Sequence, residues 1–201
     1  VTSLCCPPDT EPVIDNASVA EAVIRRAISV RRARVYCIGA MTRGLAGEVL
    51  ADMASLAAVG CIGVGNTLAP VTDTEVLRRA LEYAATCGIT VFLSPEDHWL
   101  ARNGCMHEGP VSTRLGIPGI PASAETIALA RDLQLVAGSG VRAHVGRLSS
   151  AGAVKLIAEA RRRRQPVTAD TGIAWLHLTD ADVADYDADC HVRPPLRARE
   201  D

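Results

Sequence analysis

The stretch CIGVGNTLAPVTDTEVLRRALEYAATCGITVFL, residues 61–93, decides the fold class. It opens on a short apolar run, Cys61–Gly65, passes through a turn and resumes at helical spacing. Val76, Leu77, Ala80, Leu81 and Ala84 share one face of a helix predicted over Asp73–Cys87. Thr72-Asp73-Thr74-Glu75 reads as its capping box, and Gly88 supplies the left-handed residue at its exit. A second apolar run, Ile89–Leu93, follows. Two short β-type runs joined by one amphipathic helix form a βαβ unit, whose strands lie parallel.

The same alternation extends in both directions. Further strands are predicted at Val1–Cys6, Arg34–Ala40, Val141–Gly146 and Pro166–Asp170. Helices are predicted at Asn16–Arg31, Gly44–Ala58, Ala122–Val136 and Ala151–Arg163, the last preceded by Ser149 and Ser150. Thr179-Asp180-Ala181-Asp182 reads as another capping box, opening a short final helix. Gly60 and Gly140 mark helix exits as Gly88 does. The Gly- and Pro-rich stretch between Leu93 and Ala122 is expected to be a long functional loop. Six βα units suit either an open doubly wound sheet or part of an eight-stranded barrel. No GxGxxG or Walker motif follows any strand, which counts against nucleotide binding.

Composition narrows the function classes. The chain has 201 residues, 48% hydrophobic and 22% charged, enough apolar material for a core and too much for disorder. No run approaches the ~18 apolar residues of a membrane span. A net charge of −2 argues against a general nucleic-acid binder. Seven cysteines without a CxxC pair read as reduced thiols of a cytoplasmic protein, with Cys5, Cys37, Cys61 and Cys87 in or beside apolar stretches.

Several strings carry a family resemblance. They are Cys6-Pro7-Pro8-Asp9-Thr10-Glu11-Pro12-Val13-Ile14-Asp15, Arg78-Arg79-Ala80-Leu81-Glu82-Tyr83-Ala84 and Met106-His107-Glu108-Gly109. Leu115-Gly116-Ile117-Pro118-Gly119-Ile120-Pro121 with Ala124-Glu125 follows, then Ala130-Arg131-Asp132-Leu133 and Pro194-Pro195-Leu196-Arg197. Their order and spacing resemble dihydroorotase, the amidohydrolase-superfamily enzyme of pyrimidine synthesis. The resemblance implies an α/β fold: a partial (β/α)8 TIM barrel of the amidohydrolase type, covering about strands 2–7. The first strand, with its HxH metal ligands, and the eighth, with the catalytic Asp, are expected to lie outside the chain. Residues 1–201 then form a single fragment of one barrel. The opening Val1-Thr2-Ser3-Leu4-Cys5-Cys6, read as a buried strand, agrees with that expectation.

The positions matching the family's site residues depart from its pattern. Asp9 stands where the family has an Asn for the substrate carboxylate, and two carboxylates repel. Asn66-Thr67-Leu68 matches Asp-Asp-Gly, so an amide replaces a metal-bridging carboxylate. Ser94-Pro95-Glu96-Asp97 matches H-[AC]-E-D, which puts Ser94 at a zinc His. Arg147-Leu148-Ser149-Ser150 matches H-V-[ST]-[ST], which puts a cation, Arg147, at the next one. Gly172-Ile173-Ala174-Trp175 matches T-P-H-H, and Arg193 matches the substrate Asn before P-P-L-R.

The resemblance therefore implies no catalytic residue and no bound cofactor, although the family uses zinc. His98 is the best remaining candidate ligand; His107 is expected to be structural, and His144 to point to the other face of its strand. Glu96 and Asp97 read as structural remnants before an acid/base pair, Arg161–Arg164 as a solvated helix end, and Arg147 with Arg193 as a possible anion pair. The pattern is similar to non-catalytic dihydroorotase-like subunits that hold the aspartate carbamoyltransferase catalytic chain in a complex. The expected protein is oligomeric and cytoplasmic, with no nucleic acid or membrane partner. The alternative is an active zinc dihydroorotase, or a related cyclic amidohydrolase such as a hydantoinase or allantoinase.

Overall fold

A computed structural model describes residues 2–183 and 186–201. In chain order the elements are β1 (Ser3–Cys6), α1 (Ala17–Val30), β2 (Arg34–Ala40), α2 (Met53–Ala58), β3 (Gly63–Gly65), α3 (Thr74–Thr86) and β4 (Thr90–Leu93). There follow α4 (His98–Ala101), β5 (Met106–His107), α5 (Pro110–Leu115), β6 (Gly119–Ile120) and α6 (Ala122–Ser139). The last elements are β7 (Ala143–Val145), α7 (Ala151–Arg162), β8 (Val167–Ala169) and α8 (Ile173–His177). A six-stranded sheet runs in the order β1-β2-β3-β4-β7-β8, and β5 and β6 form a second, two-stranded sheet. Of the two architectures that the βα alternation allows, this is the partial barrel that the family resemblance implies.

The chain forms two compact units. One is Val1–Ser94 with Leu135–His144; the other is Pro95–Gln134 with Val145–Asp201. In the first unit the pairs β1·β2, β2·β3 and β3·β4 are all parallel. Val64 and Val91 are aligned across β3 and β4 and fully buried. Met53, Leu56, Leu77 and Leu81 of α2 and α3 are buried with them. In the second unit Ala101, Ile120 and Ala124 make one buried cluster.

The helix starts follow the local chemistry. Asn16 accepts from Val19 N–H at the start of α1, and Ser150 from Ala153 N–H at the start of α7. Gly60, Gly88 and Gly140 all have positive φ. At α3 the capping residue is Asp73 rather than Thr72; its carboxylate accepts from Glu75 and Val76 N–H.

Other expectations need correction. β1 is not buried: Ser3, Leu4 and Cys5 are exposed, the strand pairs with β2 alone among the described residues, and Val1 lies outside them. Cys5 and Cys105 are exposed, whereas Cys37 and Cys61 are buried. The helix expected over Gly44–Ala58 shrinks to α2, since Gly44, Leu45 and Gly47 all have positive φ. The loop after β4 holds α4, β5, α5 and β6. The short helix expected from Thr179 is a 3₁₀ turn, Asp180–Val183, and α8, which was not expected, precedes it. There Asp182 Oδ2 accepts from both Thr179 N and Thr179 Oγ1.

The run Gly63-Val64-Gly65 makes room for the chain's single phenylalanine. A Cβ at Gly63 would lie 2.2 Å from the Phe92 ring and 2.8 Å from the Thr90 carbonyl oxygen. The ring can shift, but the carbonyl belongs to the neighbouring ladder. Gly63→Ala is therefore expected to lower stability by roughly 1–3 kcal/mol, read as a drop in the denaturation midpoint.

Candidate functional site

In the first unit the strand ends carry Asp9, Asn66 and Ser94. Asp9 is exposed, just after the buried Pro8. Pro8 and Ile14 brace this turn, with Ile14 N–H donating to the Pro8 oxygen and Ala40 N–H to the Ile14 oxygen. Asn66 follows β3 and is only 5% exposed. Its Oδ1 accepts from Thr42 N at 3.2 Å and Thr42 Oγ1 at 3.1 Å. Its Nδ2 donates to Thr42 Oγ1 at 2.9 Å and the Leu45 oxygen at 3.3 Å. The amide thus staples the irregular segment after β2 to the end of β3, and its donors and acceptor are engaged within the protein. Ser94 is half-buried.

In the second unit Arg193 meets Glu96. Nε donates to Oε2 at 3.1 Å and Nη2 to Oε1. The Glu96 side chain is 14% exposed and that of Arg193 53%. The carboxylate bond raises the Arg193 pKa against an opposing desolvation. Arg193 is thus ion-paired with Glu96. Asp97 caps α4, its Oδ1 accepting from Trp99 and Leu100 N–H at 3.0 Å. Arg147 sits in the left-handed region, φ 60°, and its N–H donates to Asp170 Oδ1 at 2.7 Å. Trp175 Nε1 donates to the Pro194 oxygen at 3.1 Å.

Beneath these residues lies a buried polar network. Glu125 is 3% exposed, Ser149 9% and Arg197 4%. Glu125 accepts from Ser149 N at 2.8 Å and Ser149 Oγ at 3.1 Å. Arg197 Nε donates to Ser149 Oγ at 3.0 Å and Nη1 to the Ile120 oxygen at 2.9 Å. His107 Nδ1 lies 3.3 Å from Arg197 Nη1 and acts as acceptor there. Desolvation, then the Arg197 charge, hold the His107 pKa below its ordinary value. Desolvation lowers the Arg197 pKa too, with Glu125 the leading opposing charge.

The histidines are scattered. His98 is exposed and edge-on to Trp99, His144 packs against Phe92 with ring centroids 5.3 Å apart, and His107 belongs to the buried network. Among the described residues no group of three or more His, Cys, Asp or Glu could hold a metal ion. A hydroxyl, an amide and a guanidinium, at Ser94, Asn66 and Arg147, stand at the positions that the resemblance matches to metal-site residues.

The dihydro-orotase-like family matches residues 1–153. The chain belongs to the dihydroorotase-like family. This dihydroorotase-like chain is 49% identical over 201 residues to a dihydroorotase-like protein of Pseudomonas putida, covering all of the chain and 47% of the relative. It is 45% identical over 202 residues to a dihydroorotase of Anaeromyxobacter sp. strain K, with the same coverage. The chain thus spans about half the length of the curated relatives it matches. Among solved structures, the L-hydantoinase from Arthrobacter aurescens superposes with a TM-score of 0.80 at 18% identity, over 100% of this chain and 46% of that one. That likeness confirms the partial (β/α)8 barrel fold. No helix among the described residues is long and apolar enough to cross a membrane.

Glu125 and Arg197 stand inside the dihydroorotase-like strings, yet sequence reasoning assigned them no role. Their coupling spans 72 residues and shows only in burial. The usable signal was a carboxylate and a guanidinium beside apolar positions, a pairing that buried charges require.

Proposed function

We propose that this chain belongs to a non-catalytic dihydroorotase-like protein of de novo pyrimidine synthesis that supports assembly of the aspartate carbamoyltransferase catalytic chain. What supports this reading is how the matching side chains are used. Arg193 neutralises Glu96, Asn66 is consumed by Thr42 and Leu45, and Asp97 caps α4. Each makes a contact inside the protein that stabilises shape, and none leaves a carboxylate or imidazole cluster for a cation. Free thiols throughout suit a reducing cytoplasm.

The second reading is an active zinc dihydroorotase. It is favoured by relatives that bear the name dihydroorotase at 45% identity. One assay separates the two. The whole protein, purified with added zinc, is expected to open dihydroorotate no faster than buffer, followed in the ultraviolet beside an active dihydroorotase. It is expected to co-elute with the carbamoyltransferase catalytic chain in gel filtration. Turnover at an ordinary enzymatic rate of ~1–1000 per second would overturn the structural reading.

A further inference from the structure

The first unit treats its arginines in two different ways. On α3, Arg78 pairs with Glu75 and Glu82, and so does Arg79. On α1, Arg25 pairs with Glu21. The next four arginines, Arg26, Arg31, Arg32 and Arg34, are all exposed and make no ion pair among the described residues. They fall within nine residues, at the corner where α1 ends and β2 begins. No acidic residue occurs between Glu21 and Glu48. The C-terminal dipole of α1 favours a cation at Arg31, its left-handed cap. It does not account for Arg32 and Arg34 beyond the helix, nor for their mutual repulsion.

The same corner exposes apolar side chains. Ile28 is 65% exposed, Val30 44% and Tyr36 40%. Arginines interleaved with exposed aliphatic and aromatic groups are the mixture that protein interfaces favour. A phosphate backbone would use the charges but not Val30, which lies on the helix carrying Arg26.

We propose that the α1–β2 corner, built on Arg26, Arg32 and Arg34 with Val30, one helical turn from Arg26, and Tyr36, on the same strand face as Arg34, docks an acidic, partly apolar protein surface. This rests on the structural-subunit reading, and the partner bearing that surface is the protein that the whole chain helps to assemble. The charges steer the encounter and fix its register; the apolar groups exclude water at the centre.

The test uses the whole protein and the aspartate carbamoyltransferase catalytic chain, with affinity measured by calorimetry at two salt concentrations. The variant is Arg26→Glu with Arg32→Glu and Arg34→Glu. Arg31 is kept because it caps α1. The control carries the same charge change on α7, Arg161→Glu with Arg162→Glu and Arg164→Glu. Circular dichroism and thermal unfolding check that both remain folded, and the Lys versions of the corner variant cover a failure to fold. The expected result is at least tenfold weaker binding for the corner variant, near-unchanged binding for the control and the Lys version, and weaker wild-type binding at higher salt. Equal loss in corner variant and control would overturn the proposal, as would unchanged binding by the corner variant. Tighter wild-type binding to duplex DNA or to phosphatidylglycerol vesicles than to the protein would also overturn it. If the wild type fails to bind the transferase at all, the structural-subunit reading itself falls.

Discussion

Replacing Arg197 by alanine is expected to destabilise the folded protein by roughly 3–5 kcal/mol, the range for removing one of two buried charges that a polar network couples. Arg197 is 4% exposed and Glu125 3%, and Ser149 Oγ links them. Without the guanidinium, Glu125 keeps its bonds from Ser149, but Ser149 Oγ loses the Arg197 Nε donor. The Ile120 carbonyl loses a donor as well. The effect extends beyond one contact, because Arg197 ties the Pro194–Arg197 segment to the residues around β6. A control distinguishes charge from volume. Glu125→Gln combined with Arg197→Met removes both charges at similar size, and is expected to recover much of the loss. Denaturant unfolding of the whole protein measures each step. A loss below about 1 kcal/mol for Arg197→Ala, typical of an exposed pair, would show that this network is not buried in solution.

Most of the frame was legible because it rests on periodicity and caps. β2 occurs over Arg34–Ala40 as expected, and α7 starts at Ala151 behind Ser150. Both elements depend on neighbours within a turn or a strand, which a sequence displays directly. The failures have a shared origin in tertiary placement. Val1-Thr2-Ser3-Leu4-Cys5-Cys6 is apolar enough for a buried strand, yet whether a strand is covered depends on its neighbours. Gly44–Ala58 looked helical by composition, but the backbone there bends through Gly44, Leu45 and Gly47 so that Thr42 and Leu45 can hold Asn66. The long loop after β4 concealed α4, whose cap, Asp97, is visible in sequence only once Trp99 and Leu100 are known to be helical.

The site was legible position by position and not in its contacts. The resemblance assigns Asp9, Asn66, Ser94 and Arg147 to segments that follow strands, and Arg193 to the segment before Pro194. That Arg193 would close on Glu96, across 97 residues, could not be read. That long-range pairing also changes what the residue means. An arginine at a substrate position suggests an anion, whereas an arginine on a mostly buried carboxylate is a fastening of the loop that follows β4.

Asp132 provides the largest expected pH effect. It lies on α6, 4% exposed, and burial pushes its carboxyl up to about 6 even though Arg131 Nε and Nη2 donate to its Oδ1. In the unfolded chain an aspartate titrates near 3.8. Between those values the folded protein holds a proton that the unfolded chain has released. Stability therefore falls as pH rises from about 4 to 6, and the full penalty, ~3 kcal/mol for a shift of about two units, persists above that window. Asp132→Asn keeps the shape and removes the charge. It is expected to gain ~1–3 kcal/mol at pH 7.5, the lower end if the bond from Arg131 weakens. The gain should shrink by ~2 kcal/mol between pH 7.5 and pH 4.5 and vanish only below about pH 3.8. His107 acts in the opposite direction: its depressed pKa makes its contribution complete above the ordinary His range and lost as pH falls. It is present in both proteins, so the difference between wild type and Asp132→Asn isolates the carboxyl. Urea unfolding of both at pH 4.5, 6.0 and 7.5 gives that difference directly. A difference that stays constant with pH, or a wild type that gains on the variant as pH rises, would mean that Asp132 ionises in the fold as readily as in water.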